Sequence, residues 1–172
     1  EDMQAVEPYG RALFSLVGTF SDRLDDEKRL RNILDFSDLE HLTVRMLLGE
    51  DGRAPTPLAR SLSYRYTEIM VDEYQDTNDV QDAIFRALSR NETNLFLVGD
   101  IKQSIYRFRL ANPDVFLRKY LAYADEPAPG EPGRIVLAKN FRSRREVTEA
   151  VNYIFENIMS PSLGDVAYGE RE

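Results

Sequence analysis

The sequence predicts an α/β fold, a small parallel sheet preceded by a helical N-terminal segment, and three observations lead there. Residues 1–64 place apolar side chains at helical spacing; two short apolar runs, Ile69 to Val71 and Leu95 to Val98, flank a further helical pattern; and a Pro/Gly-rich stretch at 125–133 interrupts all periodicity. Strand, helix, strand is the unit of a parallel sheet, because a parallel return needs a crossover connection.

The elements follow in order. Leu13, Leu16, Val17 and Phe20, then Leu30, Ile33 and Leu34, make an apolar stripe in a charged background, and the acidic cluster Asp22, Asp25, Asp26, Glu27 reads as a solvated turn between its two parts. Ser37-Asp38-Leu39-Glu40 has the capping-box form and Gly49 sits where a helix would close, which predicts a helix over 38–48. Residues 50–57 read as a loop and 58–64 as a short helix. Val80, Ile84, Phe85 and Leu88 share one helical face between the two strands. Gly99-Asp100 opens a turn, Ser104 to Phe108 is an apolar-aromatic segment, and Pro113 to Ala124 is expected to be helical. Beyond the break, Ile135-Val136-Leu137 reads as a third strand, and Ser143-Arg144-Arg145-Glu146 as a second capping box opening a helix through Val147, Val151, Ile154, Phe155 and Ile158. The organisation expected is thus a helical segment at 1–64, a core at 65–124, a linker at 125–133 and the start of a second lobe at 134–172.

Composition narrows the function classes. With 172 residues and 42% hydrophobic content the chain can bury a moderate core, and no apolar run approaches the ~20 residues of a membrane span. There is no signal-peptide pattern, so an intracellular, cytoplasmic setting is the expectation. Absent cysteine excludes disulfides and thiolate metal sites. The net charge of -8 is unevenly spread: residues 1–100 hold 11 Lys and Arg against 20 Asp and Glu, whereas 101–145 hold 10 against 4. A local basic stripe can meet phosphates on an acidic protein because distant charges are screened; a solvated charged face is the alternative. His41 stands alone on its helix and reads as structural or exposed.

Three motifs carry chemistry. An apolar strand emptying into Asp72-Glu73 puts two carboxylates at the C-terminal edge of a parallel sheet, where α/β proteins bind ligands. Asp72 would organise hydrated magnesium, which keeps several waters and takes one or two carboxylates, and Glu73 would orient and deprotonate a water near a γ-phosphate. The same pair would equally suit a helix N-terminus. Gly99-Asp100-Ile101-Lys102-Gln103-Ser104-Ile105-Tyr106-Arg107-Phe108-Arg109 follows the next strand and so returns to the same edge. Gln103 could report on the γ-phosphate. Tyr106 and Phe108, interleaved with Arg107 and Arg109, suit single-stranded nucleic acid by stacking and phosphate pairing, or else form the core face of a short strand. Asn140-Phe141-Arg142-Ser143 comes third, with Arg142 either an arginine finger or an ordinary surface ion pair.

At these residues the sequence resembles the UvrD-like, superfamily-one DNA helicases, and within them the AddA-type helicase-nuclease subunits, over residues 30–172 and into the first 30. The resemblance implies a partial RecA-like (P-loop NTPase) sheet in which Asp72, Glu73, Gln75 and Asp76 are the Walker B box. It implies that Gln103 contacts the γ-phosphate of ATP, that Tyr106, Phe108 and Arg109 meet DNA, that Phe141 stacks on adenine, and that Arg142 reaches the γ-phosphate from the second lobe. Lys102 and Leu110, with 157–160 and 163–165, point to the AddA type; a RecB-type or plain UvrD-type helicase is the neighbouring reading. ATP and Mg2+ are the implied cofactors. The implied partners are single- and double-stranded DNA and an AddB-like subunit, in resection of double-strand breaks.

No Gly-x-x-x-x-Gly-Lys-Ser/Thr loop occurs in the sequence, and without it the phosphates lose their backbone cradle and lysine. The expectation is therefore an internal segment of a longer helicase that binds ATP weakly or not at all by itself. A non-catalytic scaffold module that dispenses with the loop is the alternative class.

Overall fold

The computed structural model describes residues 2–137, 139–160, 162, 163 and 168, with side chains from residue 6 onward. The chain divides between Leu42 and Thr43 into two compact units.

The first unit is built on α1 (Asp2–Arg31), a 30-residue helix. The acidic cluster at 22–27 is not a turn. It lies inside α1, where Arg29 pairs with Asp26 and Arg31 with Glu27 at one-turn spacing, so i, i+3 and i, i+4 attraction supports a continuous helix. The helix stops at Asn32, which adopts a left-handed φ of 52°. The Asn32 N–H donates to Arg29 O and the Ile33 N–H to Lys28 O, the two bonds of a Schellman end.

α2 (Phe36–Leu48) then starts two residues earlier than expected, because its capping box is Asp35 with Asp38 rather than Ser37 with Glu40. The Asp38 N–H donates to Asp35 Oδ1 at 2.8 Å and the Asp35 N–H to Asp38 Oδ2 at 2.9 Å. Ser37 instead faces His41, whose Nδ1 is 2.8 Å from the Ser37 carbonyl oxygen. Lys28 closes the corner by donating to both Asp35 and Asp38, at 2.8 and 2.9 Å.

In the second unit, Thr56 caps α3 (Pro57–Ser63) by accepting the Ala59 N–H, and its own hydroxyl donates to Met46 O. Leu47, Ala59 and Ala87 form a buried cluster with Leu48, Leu62, Ile84 and Leu88 packed around it. This is where α3 meets α4 (Asp79–Leu88). A capping box of Asn78 with Gln81 starts α4. β1 (Ile69–Val71) and β2 (Leu95–Leu97) pair in parallel, with Ile69 opposite Leu95 and Val71 opposite Leu97.

The expected third strand does not form. Ile135 to Leu137 is exposed and unpaired, and the sheet of the described residues has two strands. An apolar run becomes a strand only against a free sheet edge, and neither edge of β1-β2 is taken up by it. α5 (Pro113–Ala122) ends two residues short of the expected Ala124, because the chain turns back there: the Arg134 N–H donates to Ala124 O, and the Arg134 guanidinium holds Asp125 and the Tyr120 carbonyl. α6 (Arg145–Ile158) lacks the expected box. Asn140 Oδ1 accepts from the N–H groups of Arg142 and Ser143 at 2.9 and 2.8 Å, which holds Ser143 in the preceding turn and moves the N-cap to Arg144. Among the described residues no helix is long and apolar enough to cross a membrane.

Candidate functional site

Because β1 and β2 are parallel, their C-terminal ends open on one edge, and the backbone stitches the two exits together. The Val98 N–H donates to Val71 O and the Tyr74 N–H to Val98 O, each at 2.8 Å. Asp72 and Glu73 leave β1 exposed at this edge, and Gly99 and Asp100 leave β2.

Gln75 joins the two exits. Its side chain is 1% exposed; its Oε1 accepts the Asp100 N–H at 3.0 Å and its Nε2 donates to the Glu73 carboxylate at 2.6 Å. Gly99 makes this possible, since a Cβ there would lie 2.5 Å from Gln75 Oε1. Asp100 carries the connection onward by accepting from Gln103 Nε2 at 3.1 Å and from the Lys102 N–H at 3.0 Å. Burial pushes the Asp100 carboxyl up, but the bonds from Gln103 and Lys102 together outweigh it and hold the group below the usual carboxylate range. Glu73, Gln75, Asp100 and Gln103 are thus one hydrogen-bonded chain across the sheet edge. Glu73 itself sits at φ 51°, ψ 41°, a left-handed backbone that turns the chain sharply after Asp72.

Behind the edge, Tyr74 is buried, with its ring edge-on to Phe116 at 5.6 Å and its hydroxyl donating to Asp82. Burial, then the Asp82 carboxylate, raises the Tyr74 hydroxyl well above its ordinary value, so it stays a donor. Arg86 lies beside Asp82 and Glu92, and Lys119 on α5 also pairs with Glu92.

The Tyr106 to Arg109 segment is not a strand. Arg107–Arg109 is a 3₁₀ turn; the Tyr106 and Phe108 rings are 5.9 Å apart and tilted by 44°, and the Arg109 guanidinium lies 5.4 Å from one centroid and 5.6 Å from the other. Both rings are exposed, the arrangement of a stacking surface rather than a core. Asn112 ties this turn back to the acidic loop, its N–H donating to Thr77 O at 2.9 Å and its Nδ2 to Asp79 at 2.8 Å.

A family model for the UvrD/REP helicase N-terminal domain matches residues 3–124. The chain belongs to that family. Relatives named as the A subunit of an ATP-dependent helicase/nuclease show 52% identity over 163 residues in Moorella thermoacetica, 43% over 173 in Pelotomaculum thermopropionicum and 44% over 176 in Clostridium perfringens. These alignments cover 91%, 98% and 99% of this chain, and it spans 12 to 14% of the length of those proteins.

In this UvrD/REP domain the structure brings together Asp72, Glu73, Gln75 and Gln103, and secures the aromatic turn of Tyr106, Arg107, Phe108 and Arg109 to the same loop. It does not bring Phe141 and Arg142 to them: Phe141 is 91% exposed, and among the described residues neither side chain bonds to the 72–76 segment. Gln75, expected at a cofactor, has both ends of its amide engaged within the protein. The residues are nevertheless compatible with a hard cation. Oxygen is the donor type magnesium takes and one or two protein carboxylates suffice, which the exposed Asp72 at the end of β1 can supply. Among the described residues Asp76 Oδ1 is buried without a hydrogen-bond partner, and burial, then the charge of Glu73, raises its carboxyl, so positive charge at this edge would be favourable. Tyr74, Asp82, Phe116 and Asn112 escaped the sequence reading. The one available signal was an aromatic at the free position of Asp-Glu-x-Gln, which a motif treats as arbitrary.

Proposed function

We propose that this chain is part of the motor of an AddA-like, ATP-dependent DNA helicase and nuclease subunit that unwinds and resects DNA ends in double-strand-break repair. On this reading residues 65–124 are the RecA-like core of the first lobe with 1–64 associated, 125–133 is a linker, and 134–172 begins the second lobe. ATP and Mg2+ are its cofactors, single- and double-stranded DNA its substrates, an AddB-like subunit its partner, and the cytoplasm its location. Identity of 43 to 52% to subunits named for helicase and nuclease activity supports it; the observation that carries it is the Gln75 bridge, which makes the acidic loop and the Gln103 loop one unit.

ATP with magnesium supplies a phosphoanhydride bond and the positive charge that makes its γ-phosphoryl group electrophilic. Asp72, the exposed carboxylate at the end of β1, would hold the hydrated ion. Glu73 would take a proton from the attacking water at its carboxylate, a general-base contribution of about 10²- to 10⁴-fold. Gln75 fixes the direction of that carboxylate by donating to one of its oxygens. Gln103, held on Asp100, would meet the γ-phosphate; Phe141 and Arg142 would add an adenine stack and charge stabilisation when the second lobe closes. Tyr106, Phe108 and the arginines Arg107 and Arg109 would grip single-stranded DNA, so that movement at Gln103 reaches the DNA through residues 104–106.

The test is a chimera of the Moorella thermoacetica protein in which these 172 residues replace the matching segment. ATP hydrolysis stimulated by single-stranded DNA is expected, and Tyr106→Ala with Phe108→Ala should abolish the stimulation while sparing basal turnover. Undiminished stimulation in the double variant would remove the aromatic turn from DNA binding.

A further inference from the structure

The aromatic turn ends on a leucine in a backbone conformation that favours glycine or asparagine. Leu110 has φ 68° and ψ 11°, in the left-handed region where a Cβ crowds the backbone and which a leucine rarely enters. Four other non-glycine residues among those described have positive φ, and each has a local reason. Asn32 and Asn91 are of the residue type that tolerates this region; Glu73 has its carboxylate held by Gln75; Glu92 pairs with Lys119 and Arg86. Leu110 is not of a residue type that this region favours, and its side chain is 80% exposed, so no core rewards the choice of leucine.

A Schellman pair of bonds like that at Asn32 holds the conformation without selecting leucine for it. The Leu110 N–H donates to Arg107 O at 2.9 Å and the Ala111 N–H to Tyr106 O at 3.3 Å. Ala111, Pro113 and Val115 are buried immediately afterwards, and Asn112 is bonded to Thr77 and Asp79. A strained backbone held on both sides and carrying an exposed aliphatic side chain one residue beyond the Arg109 stack is the pattern of a presented contact.

We infer that Leu110 is a nucleic-acid contact of this turn, an apolar tip that packs against the face of an unstacked base beside Tyr106 and Phe108 and so favours single strand over duplex. The inference rests on the proposed DNA-binding role of the turn. Its physical basis is that base faces are covered by stacking in a duplex and open in a single strand, where an apolar group can cover them.

Fluorescence anisotropy of the chain at low salt, with a labelled oligothymidine and with a duplex of equal length, tests it. Leu110→Gly removes side chain and strain together; Leu110→Ala removes most of the side chain and keeps the strain. Both should weaken single-strand binding by about threefold to tenfold, the effect of losing partial burial of one leucine, with a smaller loss on duplex, and the urea midpoint of Leu110→Gly should not fall. Single-strand binding unchanged in both variants while Tyr106→Ala weakens it would overturn the inference and leave the turn's role standing. Equal losses on single strand and duplex, or a lowered urea midpoint for Leu110→Gly, would also overturn it. If the unaltered chain does not bind, or Tyr106→Ala and Phe108→Ala bind as it does, the DNA-binding role fails and the inference with it.

Discussion

Gly99→Ala tests the join between the two strand exits. The new Cβ would lie 2.5 Å from Gln75 Oε1, 2.9 Å from Phe116 Cε1 and 3.2 Å from the Gln75 backbone nitrogen. The nearest of these atoms is the end of a side chain, but that end is pinned between Asp100 and Glu73 and cannot swing away without breaking both bonds. Overpacking of this kind costs about 1–3 kcal/mol. Loss of the Gln75 partner in a buried place adds about 1–3 kcal/mol, and the stiffer unfolded chain returns about 0.4–1 kcal/mol. A net loss of roughly 2–4 kcal/mol follows, which for a chain of this size lowers the melting midpoint by roughly 5–15 °C. Urea denaturation of Gly99→Ala and Gln75→Ala, singly and together, measures it, with hydrogen exchange at the Asp100 amide as the local readout. The two costs should overlap, the double variant losing less than the sum, because each substitution breaks the same bond. Parental stability in Gly99→Ala with an Asp100 amide still protected would refute the packing argument.

Three further outcomes are expected. Tyr74→Phe strips the buried Asp82 of its donor and should cost about 1–3 kcal/mol by urea denaturation. Asn78→Ala removes the capping box of α4 and should cost about 1 kcal/mol, seen as faster exchange of the Gln81 amide. Acid should weaken the corner between α1 and α2. The Lys28 ammonium, then the Asp38 N–H, holds the Asp35 carboxyl below 3.8, and the Asp35 N–H, then Lys28, does the same for Asp38. A carboxyl depressed in the folded state contributes stability that is complete above its unfolded value and is lost as pH falls through the folded one. The urea midpoint, followed by helical circular dichroism, should therefore decline below pH about 4, and Lys28→Met should flatten that decline.

Much of the fold was legible because short apolar runs alternate with strong punctuation. Ile69 to Val71 forms a strand where the pattern put it and the Leu95 to Val98 run does so as far as Leu97, and Gly49, Pro57 and Pro113 mark helix ends as their backbone chemistry requires. The failures share a cause, which is partners distant in sequence or competing nearby. Ile135 to Leu137 has strand composition but pairs with neither edge of the two-stranded sheet. Ser37 and Ser143 have capping composition, yet Asp35 and Asn140 supply the competing acceptors. At the site, residue types and order pointed to the acidic pair and the aromatic-arginine turn. The role of Gln75 was not readable, because its acceptor oxygen meets an amide 25 residues away. The Arg109 stack and the left-handed Leu110 depend on a 3₁₀ turn that periodicity does not reveal.

Glu73→Gln in the chimera tests the central claim most directly. Saturable ATP binding should persist while DNA-stimulated hydrolysis falls by about 10²- to 10⁴-fold, because the amide keeps the shape of the carboxylate and loses its basicity. Hydrolysis at the parental rate with Gln at position 73 would contradict the assignment of this sheet edge as the place where water is activated.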